Sequence, residues 1–254
     1  MKILVLRFSS IGDIVLTSPV LRCLKQQVKG AEVHVATKRA FADLVAHSPH
    51  VDKVHALDDD IGALARSLKA EGFDHIVDLH HNLRTARIKR VLGVPATSFA
   101  KLNIEKWLLV NLRMDRLPRI HIVDRYMDTV KHLCVSNDNK GLELFIPKNR
   151  EVDLNTLPET HRSGYVALAI GAAHATKRLP PFKLIELAQR IEGPIVLIGG
   201  PDDQEVARSI ADAVGARVFD TTGKYDLLGS ASLIRQARSV IAHDSGAMHV
   251  ACAF

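Results

Sequence analysis

Four short stretches of this 254-residue sequence place polar or charged residues directly after apolar runs. In the first, SSIGD, Asp13 follows the apolar run KILVL and precedes a segment with helical periodicity. The helix dipole favours an ionised carboxylate there, and an ionised carboxylate can accept a proton from a substrate hydroxyl. Because a carboxylate at a helix start is also typical of capping, the stretch allows both a general base and a helix cap.

The same turn argues against one large class of sites. A dinucleotide-binding turn needs the pattern GxGxxG, and here Gly12 is the only glycine. Ser9 and Ser10 supply hydroxyl groups instead. A nicotinamide or flavin site is therefore disfavoured.

The second stretch, DLHHNLR, ends another apolar run. His80 and His81 are adjacent and point in different directions, so they are poor joint metal ligands. Asn82 and Arg84 can donate hydrogen bonds to anionic oxygens, and arginine can do so in bidentate fashion. The alternative is that Asn82 caps a helix and Arg84 is solvated.

The third stretch, GAAHATKRLP, resembles a phosphate loop because Gly171 and Lys177 follow an apolar run. It is not a Walker A motif, since the second glycine and the hydroxyl residue after the lysine are missing. Lys177 and Arg178 could neutralise a diphosphate, and solvated charges are the alternative.

The fourth stretch, AHDSGAMH, ends an apolar run and opens a helix. Ser245 is placed either to cap that helix or to lie beside an anion bound by its free N–H groups. Asp244 would then suit hydrogen bonds to sugar hydroxyls. His249 lies roughly one turn further on and could face the same ligand.

The elements that must hold these stretches alternate between apolar strands and amphipathic helices, which predicts α/β structure with parallel sheets. Turn-forming residues at 136–141 and 148–163 predict a linker between two such domains, 1–150 and 151–254. One long helix is predicted over 13–28. The predicted strands are 2–8, 32–37, 53–57, 75–80, 96–100, 165–170, 194–198, 217–219 and 239–242.

Basic residues are concentrated in one segment. The formal net charge is +6, and residues 82–120 contain nine Lys or Arg against only Glu105 and Asp115. Such a basic field suits nucleic acid, phosphorylated lipid or an anionic membrane face, and a solvated surface is the alternative. The aromatic content of 5% leaves few stacking platforms for single-stranded nucleic acid, which is therefore not expected as a partner.

Several classes of protein are disfavoured by composition. No apolar run approaches the ~20 residues that span a bilayer, and MKILVLRFSS lacks a signal-peptide cleavage pattern, so a cytoplasmic location is expected. Cys23, Cys134 and Cys252 are scattered, which argues against zinc or disulfides. The acidic run at 58–60 is more typical of a helix cap than of a metal site.

Taken together, the motifs resemble glycosyltransferase family 9, the ADP-heptose:lipopolysaccharide heptosyltransferases. The resemblance is carried by KILVLRFSSIGDIVLTSPVLRCLK, DLHHNLRT, HIVDRY, KRLP, IGGPDDQE, TTGK and AHDSGAMHVA. It implies a GT-B architecture, with two Rossmann-like domains facing a cleft. Residues 1–150 would bind the acceptor and residues 151–254 the nucleotide sugar. Because HVACAF stops within a helical pattern, the second domain is expected to be incomplete.

The resemblance also implies a role for each matching residue. Asp13 would be the general base in an inverting transfer of heptose from ADP-heptose to a hydroxyl of the lipopolysaccharide inner core, a Kdo-lipid A type acceptor. No metal and no cofactor are expected. The enzyme would act at the inner face of the inner membrane, in peripheral contact with anionic lipid. The implied donor-binding residues are Thr176, Lys177, Arg178, Gly199, Gly200, Glu205, Asp244, Ser245, Gly246 and His249. The implied acceptor-binding residues are Ser9, Ser10, Gly12, His80, Asn82, Arg84, His121 and Arg125.

Other functions stay open from the sequence. The same machinery could use another nucleotide sugar, and a GT-B epimerase or hydrolase would share the donor site. A polyanion-binding protein would use the basic segment and would not need Asp13.

Overall fold

The computed structural model describes all 254 residues, and the chain divides into two compact units. The first unit contains Met1–Ser9 and Leu16–Gly141. The second contains Ser10–Val15 and Leu142–Phe254. The short segment Ser10–Val15, which carries Asp13, therefore groups with the second unit although it lies near the start of the chain.

The first unit is built on a five-stranded parallel sheet with the strand order β3-β2-β1-β4-β5. The central strands are apolar on both faces and fully buried, as a parallel sheet covered by helices requires. Their bounds are β1 Lys2–Leu6, β2 Glu32–Lys38, β3 Lys53–Leu57, β4 His75–Asp78 and β5 Ala96–Ser98.

The helix predicted over 13–28 is two helices, α1 (Ile11–Val15) and α2 (Ser18–Gln27). The cause is Pro19 in the first turn of α2. In one continuous helix the proline would lack the N–H that bonds to the carbonyl of Val15, and its ring would clash with that carbonyl. The break separates α1 from the unit that contains α2.

The first unit contains five further α-helices. They are α3 Asp43–Ala46, α4 Ile61–Ala70, α5 Leu83–Leu92, α6 Asn103–Leu112 and α7 Ile122–Met127, with a 3-10 helix at Asp128–Leu133. A core on one side of the sheet joins Leu4, Leu68 and Ile88. Within the acidic run at 58–60, Asp60 caps α4 by accepting a hydrogen bond from the N–H of Gly62, as its position predicts.

The second unit repeats this architecture with a four-stranded parallel sheet in the order β8-β7-β6-β9. Its strands are β6 Val166–Ala169, β7 Ile195–Ile198, β8 Val218–Asp220 and β9 Ser239–Ala242. Its helices beyond residue 141 are α8 Glu159–Arg162, α9 Pro181–Arg190, α10 Gln204–Val214, α11 Leu227–Gln236 and α12 Gly246–Ala251. Helix α8 lies within residues 148–163, which were predicted as part of the linker. The prediction of α/β structure with two parallel sheets is confirmed. No helix combines the length and the apolar character needed to cross a membrane.

Candidate active site

The four polar stretches follow strands at the two places where strand order reverses. SSIGD follows β1 and DLHHNLR follows β4, and β1 and β4 are neighbours in the first sheet. GAAHATKRLP follows β6 and AHDSGAMH follows β9, which are neighbours in the second sheet. Ligands of open parallel sheets bind outside the carboxyl ends of strands at such reversal points. The topology therefore favours these stretches as ligand contacts.

Helix α1 packs closely against α12 within the second unit, and glycines on both helices permit this contact. A Cβ atom at Gly12 would lie 2.3 Å from Cδ2 of His249, and one at Gly246 would lie 2.8 Å from Cβ of Ile11. Neither position has room for a larger residue. The SSIGD and AHDSGAMH stretches thus meet in space.

Asp13 lies in the first turn of α1 and is half-buried. Its Oδ2 accepts a hydrogen bond from the hydroxyl of Ser10 at 2.9 Å and one from the Ser10 N–H at 3.2 Å. The contact to the N–H is the reverse half of a capping box. The structure therefore shows the capping interaction predicted for Asp13.

Lys177 and Asp244 connect the loop after β6 with the loop after β9. The Nζ of Lys177 lies 2.7 Å from Oδ2 of Asp244, and both side chains are exposed. The pKa of the Asp244 carboxyl lies below its usual value, mainly because Lys177 donates a hydrogen bond to it and to a smaller extent because of the electrostatic interaction with His249. The same two loops are joined by a hydrogen bond of 3.0 Å from the Leu179 N–H to Nε2 of His243.

Arg178 turns back into its own loop. Its Nε donates to the carbonyl of Ala172 at 2.5 Å, and Nη1 lies 3.5 Å from Oδ1 of Asp203. Asp203 is buried and accepts a hydrogen bond from the Gly200 N–H at 2.9 Å. A Cβ atom at Gly171 would lie 2.3 Å from Oδ2 of Asp203, so the glycine makes room for the carboxylate. Asp203 holds the loops after β6 and β7 together, a role that the sequence analysis missed.

The other predicted donor residues lie in the segments that follow β6, β7 and β9. Thr176 and Glu205 are exposed, in a 3-10 turn and in the first turn of α10, and Gly199 and Gly200 follow β7. Ser245 occupies the N-cap position of α12, but its side chain makes no capping hydrogen bond. Capping by the Ser245 hydroxyl, one of the two interpretations allowed by the sequence, is therefore not what the structure shows.

The predicted acceptor residues after β4 serve local structure. Oδ1 of Asn82 accepts hydrogen bonds from the N–H groups of Arg84 and Thr85 at 3.0 and 3.1 Å, which completes a capping box at the start of α5. The Arg84 side chain is exposed. His80 packs edge-on against the ring of Phe8, with centroids 5.7 Å apart. Asn82 therefore caps α5, which is one of the two interpretations that the sequence allowed.

The predicted acceptor residues of the HIVDRY motif lie at the start of α7. Nδ1 of His121 accepts a hydrogen bond from the Val123 N–H, so His121 is the N-cap of this helix. Arg125 donates to the carbonyl of Ala100 and lies over the ring of Phe99. Both residues therefore help to fix the segment between β5 and α7.

Two buried charged residues that sequence reasoning missed support the loops of the first unit. Arg7 is 8% exposed and donates to the carbonyls of Ser9 and Leu79 and to the hydroxyl of Tyr126. It therefore ties together the ends of β1 and β4 and helix α7. The signal was an arginine that continues the apolar run KILVL.

Asp78 is the second of these residues, a fully buried carboxylate at the end of β4. It forms an ion pair of 2.8 Å with Lys89 and accepts hydrogen bonds from the N–H groups of His80 and His81. Burial alone would raise the pKa of Asp78, but hydrogen bonds, foremost from Lys89, hold it below its usual value. Asp78 therefore stays charged and shapes the turn that begins DLHHNLR.

The structure contains no group of three or more His, Cys, Asp or Glu side chains arranged to hold a metal ion. Within the acidic run, Asp58 instead pairs with Arg39, and Asp60 caps α4.

Comparison with known proteins agrees with the motifs. Residues 61–254 match the model of glycosyltransferase family 9 (heptosyltransferase). The whole chain is 22% identical to lipopolysaccharide heptosyltransferase 1 of Campylobacter coli and covers 81% of that protein. It is similar to the crystal structure of a family 9 glycosyltransferase from Veillonella parvula, with a TM-score of 0.81 and 24% identity, over 99% of this chain and 77% of that one.

The chain is also similar to the structure of E. coli heptosyltransferase WaaC with ADP-2-deoxy-2-fluoro heptose. The TM-score is 0.75 and the identity 22%, over 100% of this chain and 86% of that one. These similarities establish the GT-B fold, and the resemblance inferred from the motifs is confirmed. The chain belongs to glycosyltransferase family 9 and is a glycosyltransferase.

Proposed function

We propose that this enzyme transfers heptose from ADP-heptose to a hydroxyl of the lipopolysaccharide inner core, on a Kdo-lipid A type acceptor. The relatives support the choice of sugar and acceptor, since one is a lipopolysaccharide heptosyltransferase and another was solved with an ADP-heptose analogue. The observation that carries the proposal is the packing of α1 on α12, which brings the helix of Asp13 to the helix that follows Asp244.

The proposed reaction is a single displacement with inversion. A carboxylate oxygen of Asp13 takes the proton of the acceptor hydroxyl while the hydroxyl oxygen forms a bond to the anomeric carbon of the heptose. The bond between that carbon and the diphosphate oxygen breaks on the opposite face, and its electron pair leaves with ADP. Holding the reacting atoms ~3–3.5 Å apart in line is the main task of the surrounding loops.

Charge on the departing diphosphate is offset by Lys177 in this proposal. Its ammonium group lies on an exposed loop at the reversal point of the second sheet. To bind a phosphate, the ammonium group would replace its contact with the Asp244 carboxylate by one with the phosphate. A cation that meets charge as the charge develops stabilises the transition state more than the ground state. Asp244, released from Lys177, would then accept hydrogen bonds from hydroxyls of the transferred sugar.

Two further residues are proposed to support donor binding, His249 by contact and Arg178 through the shape of its loop. His249 lies beside Gly12 and influences the pKa of Asp244, so it is well placed to contact the same ligand. Arg178 is engaged with Ala172 and Asp203, so its support of the donor is proposed to act through the shape of the loop.

The acceptor is proposed to be a phosphorylated, lipid-linked saccharide. The supporting observation is the basic segment 82–120, in which Arg84 and Arg87 are exposed on α5 next to the loop after β4. Arginine recognises phosphate through two parallel hydrogen bonds.

The test is mass spectrometry of a Kdo-lipid A acceptor after incubation with the enzyme and, separately, ADP-heptose, ADP-glucose, UDP-glucose and GDP-mannose. The proposal expects a mass gain of one heptose with ADP-heptose alone. A mass gain with a different nucleotide sugar would overturn the assignment of heptose, while the assignment as a sugar transferase would stand. Hydrolysis of ADP-heptose at the same rate with and without acceptor would overturn the transfer itself.

A further inference from the structure

The helix α6, Asn103–Leu112, presents apolar side chains to solvent instead of to a core. Six of its ten residues are apolar, and none of the ten is buried. Ile104 is 74% exposed, Trp107 56% and Val110 78%. Leu112, Met114 and Ile120 are exposed as well, on the helix and on the chain that follows it. We call residues 101–120 the α6 surface.

Such a surface needs a cover in the working protein. A helix that is apolar around most of its circumference is normally buried, and large contiguous apolar patches mark sites of protein or membrane interaction. Every other helix of ten residues or more in this chain buries at least two of its own residues. The exposure is therefore specific to α6.

The charge on the α6 surface indicates what kind of partner covers it. Five basic side chains are interspersed with the apolar ones, opposed in this range only by Glu105 and Asp115. The five are Lys101, Lys106, Arg113, Arg116 and Arg119. Apolar side chains enter the acyl region of a bilayer, while lysine and arginine extend toward anionic headgroups, and tryptophan prefers the boundary between them.

We infer that the α6 surface docks the enzyme onto a bilayer that contains anionic lipid, with Ile104, Trp107 and Val110 inserted at the headgroup boundary. A nucleic acid would meet the basic groups but leave Ile104 and Val110 in water. A second copy of the same surface would bring like charges together. Of these three covers, only an anionic bilayer matches both the apolar and the basic side chains.

This inference rests on the proposed function for its purpose, since a lipid-linked acceptor lies at a membrane. The two fail separately, because docking is measured on vesicles without sugar donor or acceptor, and transfer is measured by mass spectrometry. If the unaltered enzyme does not bind the vesicles but does transfer heptose to a detergent-solubilised acceptor, only the inference is overturned.

The experiment uses Trp107, which is the single tryptophan of the chain and therefore reports on α6 alone. Fluorescence is recorded with vesicles of phosphatidylcholine and with vesicles containing about one third phosphatidylglycerol. We expect the emission to shift to the blue and to be quenched by brominated acyl chains in the anionic vesicles, with weakening at high salt. We expect little change with phosphatidylcholine alone.

Two pairs of variants separate α6 from the rest of the surface in a vesicle-sedimentation assay. Ile104→Ser with Val110→Ser is expected to reduce partitioning about tenfold, whereas Leu83→Ser with Phe182→Ser, which removes other exposed apolar groups, is expected to leave it unchanged. Arg116→Glu with Arg119→Glu is expected to reduce partitioning about tenfold or more. Arg190→Glu with Arg208→Glu makes the same change in net charge at exposed positions elsewhere and is expected to have little effect.

Three results would overturn the inference. One is an unchanged Trp107 emission in anionic vesicles. Another is an equal loss of partitioning in the α6 variants and their matched controls. The third is a blue emission that appears without lipid as protein concentration rises, which would assign the α6 surface to contact between copies of this chain.

Discussion

The ammonium group of Lys177 lies 2.7 Å from a carboxylate oxygen of Asp244, so two loops that are 67 residues apart in sequence meet in one ion pair. The side chains are 42% and 64% exposed, and an ion pair in such a position adds little to stability. Both groups are accessible to a ligand. A diphosphate would compete with Asp244 for the ammonium group, and a sugar hydroxyl could take its place on the carboxylate.

The first prediction concerns this lysine. We expect Lys177→Ala to raise the dissociation constant of ADP about tenfold or more, because a charge-assisted contact to phosphate is lost. Isothermal titration calorimetry measures the constant. The matched control is Lys183→Ala, which removes an exposed lysine paired with Glu186 on α9 and should leave ADP affinity unchanged. Equal affinity in both variants would remove Lys177 from the donor site.

The second prediction concerns Asp13. We expect Asp13→Asn to lower the turnover number about 10²- to 10⁴-fold while the dissociation constant of ADP stays within a factor of two or so, because only proton transfer is impaired. The amide oxygen of asparagine can still accept the hydrogen bond from Ser10, so the thermal midpoint should be retained. Turnover near that of the unaltered enzyme would show that the carboxylate serves only as a cap.

The third prediction tests the contact between α1 and α12. Gly12→Ala places a methyl group against the ring of His249 and should destabilise the protein by about 1–3 kcal/mol. The double variant Gly12→Ala with His249→Ala should recover part of this loss, because the ring that clashes is gone. Thermal unfolding of the four proteins in the cycle gives the coupling energy. Additive effects of the two substitutions would show that the helices do not meet in this way.

The fourth prediction follows from a buried histidine pair on the neighbouring strands β2 and β3 of the first sheet. Nδ1 of His34 lies 2.9 Å from Nε2 of His55, and His34 also contacts Glu32. Burial first, and the neighbouring His34 second, lower the pKa of His55 to about 4. The unfolded chain therefore binds one more proton than the folded chain between pH 6.5 and 4, so stability falls as pH falls through that window.

We expect His55→Gln to flatten this dependence. The slope removed should be at most about 1.4 kcal/mol per pH unit, the value for one proton. Urea unfolding between pH 7 and pH 4 measures it, with His47→Gln at an exposed position as the control. A slope in the His55 variant as steep as in the control would show that His55 is not the group that titrates.

Much of the local structure was predictable from the sequence because its causes are local. The strands β3 and β9 have the predicted bounds, and the other strands differ from prediction by one or two residues at their ends. The caps at Asp60 and Asn82 depend on side chains that reach only two or three residues along the chain. The break between α1 and α2 was also encoded locally, in Pro19, and was missed because the apolar periodicity continues across it.

The arrangement of the candidate site depends on contacts between distant parts of the chain. Nothing near Arg178 in sequence indicates that its guanidinium turns toward Asp203, and nothing near Gly12 indicates His249. Arg7 and Asp78 were also missed as supports, because a charged residue beside an apolar run is more often exposed than buried. Their distant partners lie after β4 (Leu79), on α7 (Tyr126) and on α5 (Lys89).

The sequence by itself determined the family, the parallel sheets and the positions of the four polar stretches, because motifs, apolar periodicity and caps act over a few residues. Only the tertiary structure decided that Lys177 pairs with Asp244, that α1 packs on α12 and that α6 stays uncovered. Those outcomes depend on the strand order and on the space left by glycines such as Gly12 and Gly246. Both are determined by how segments that are distant in the sequence pack against one another.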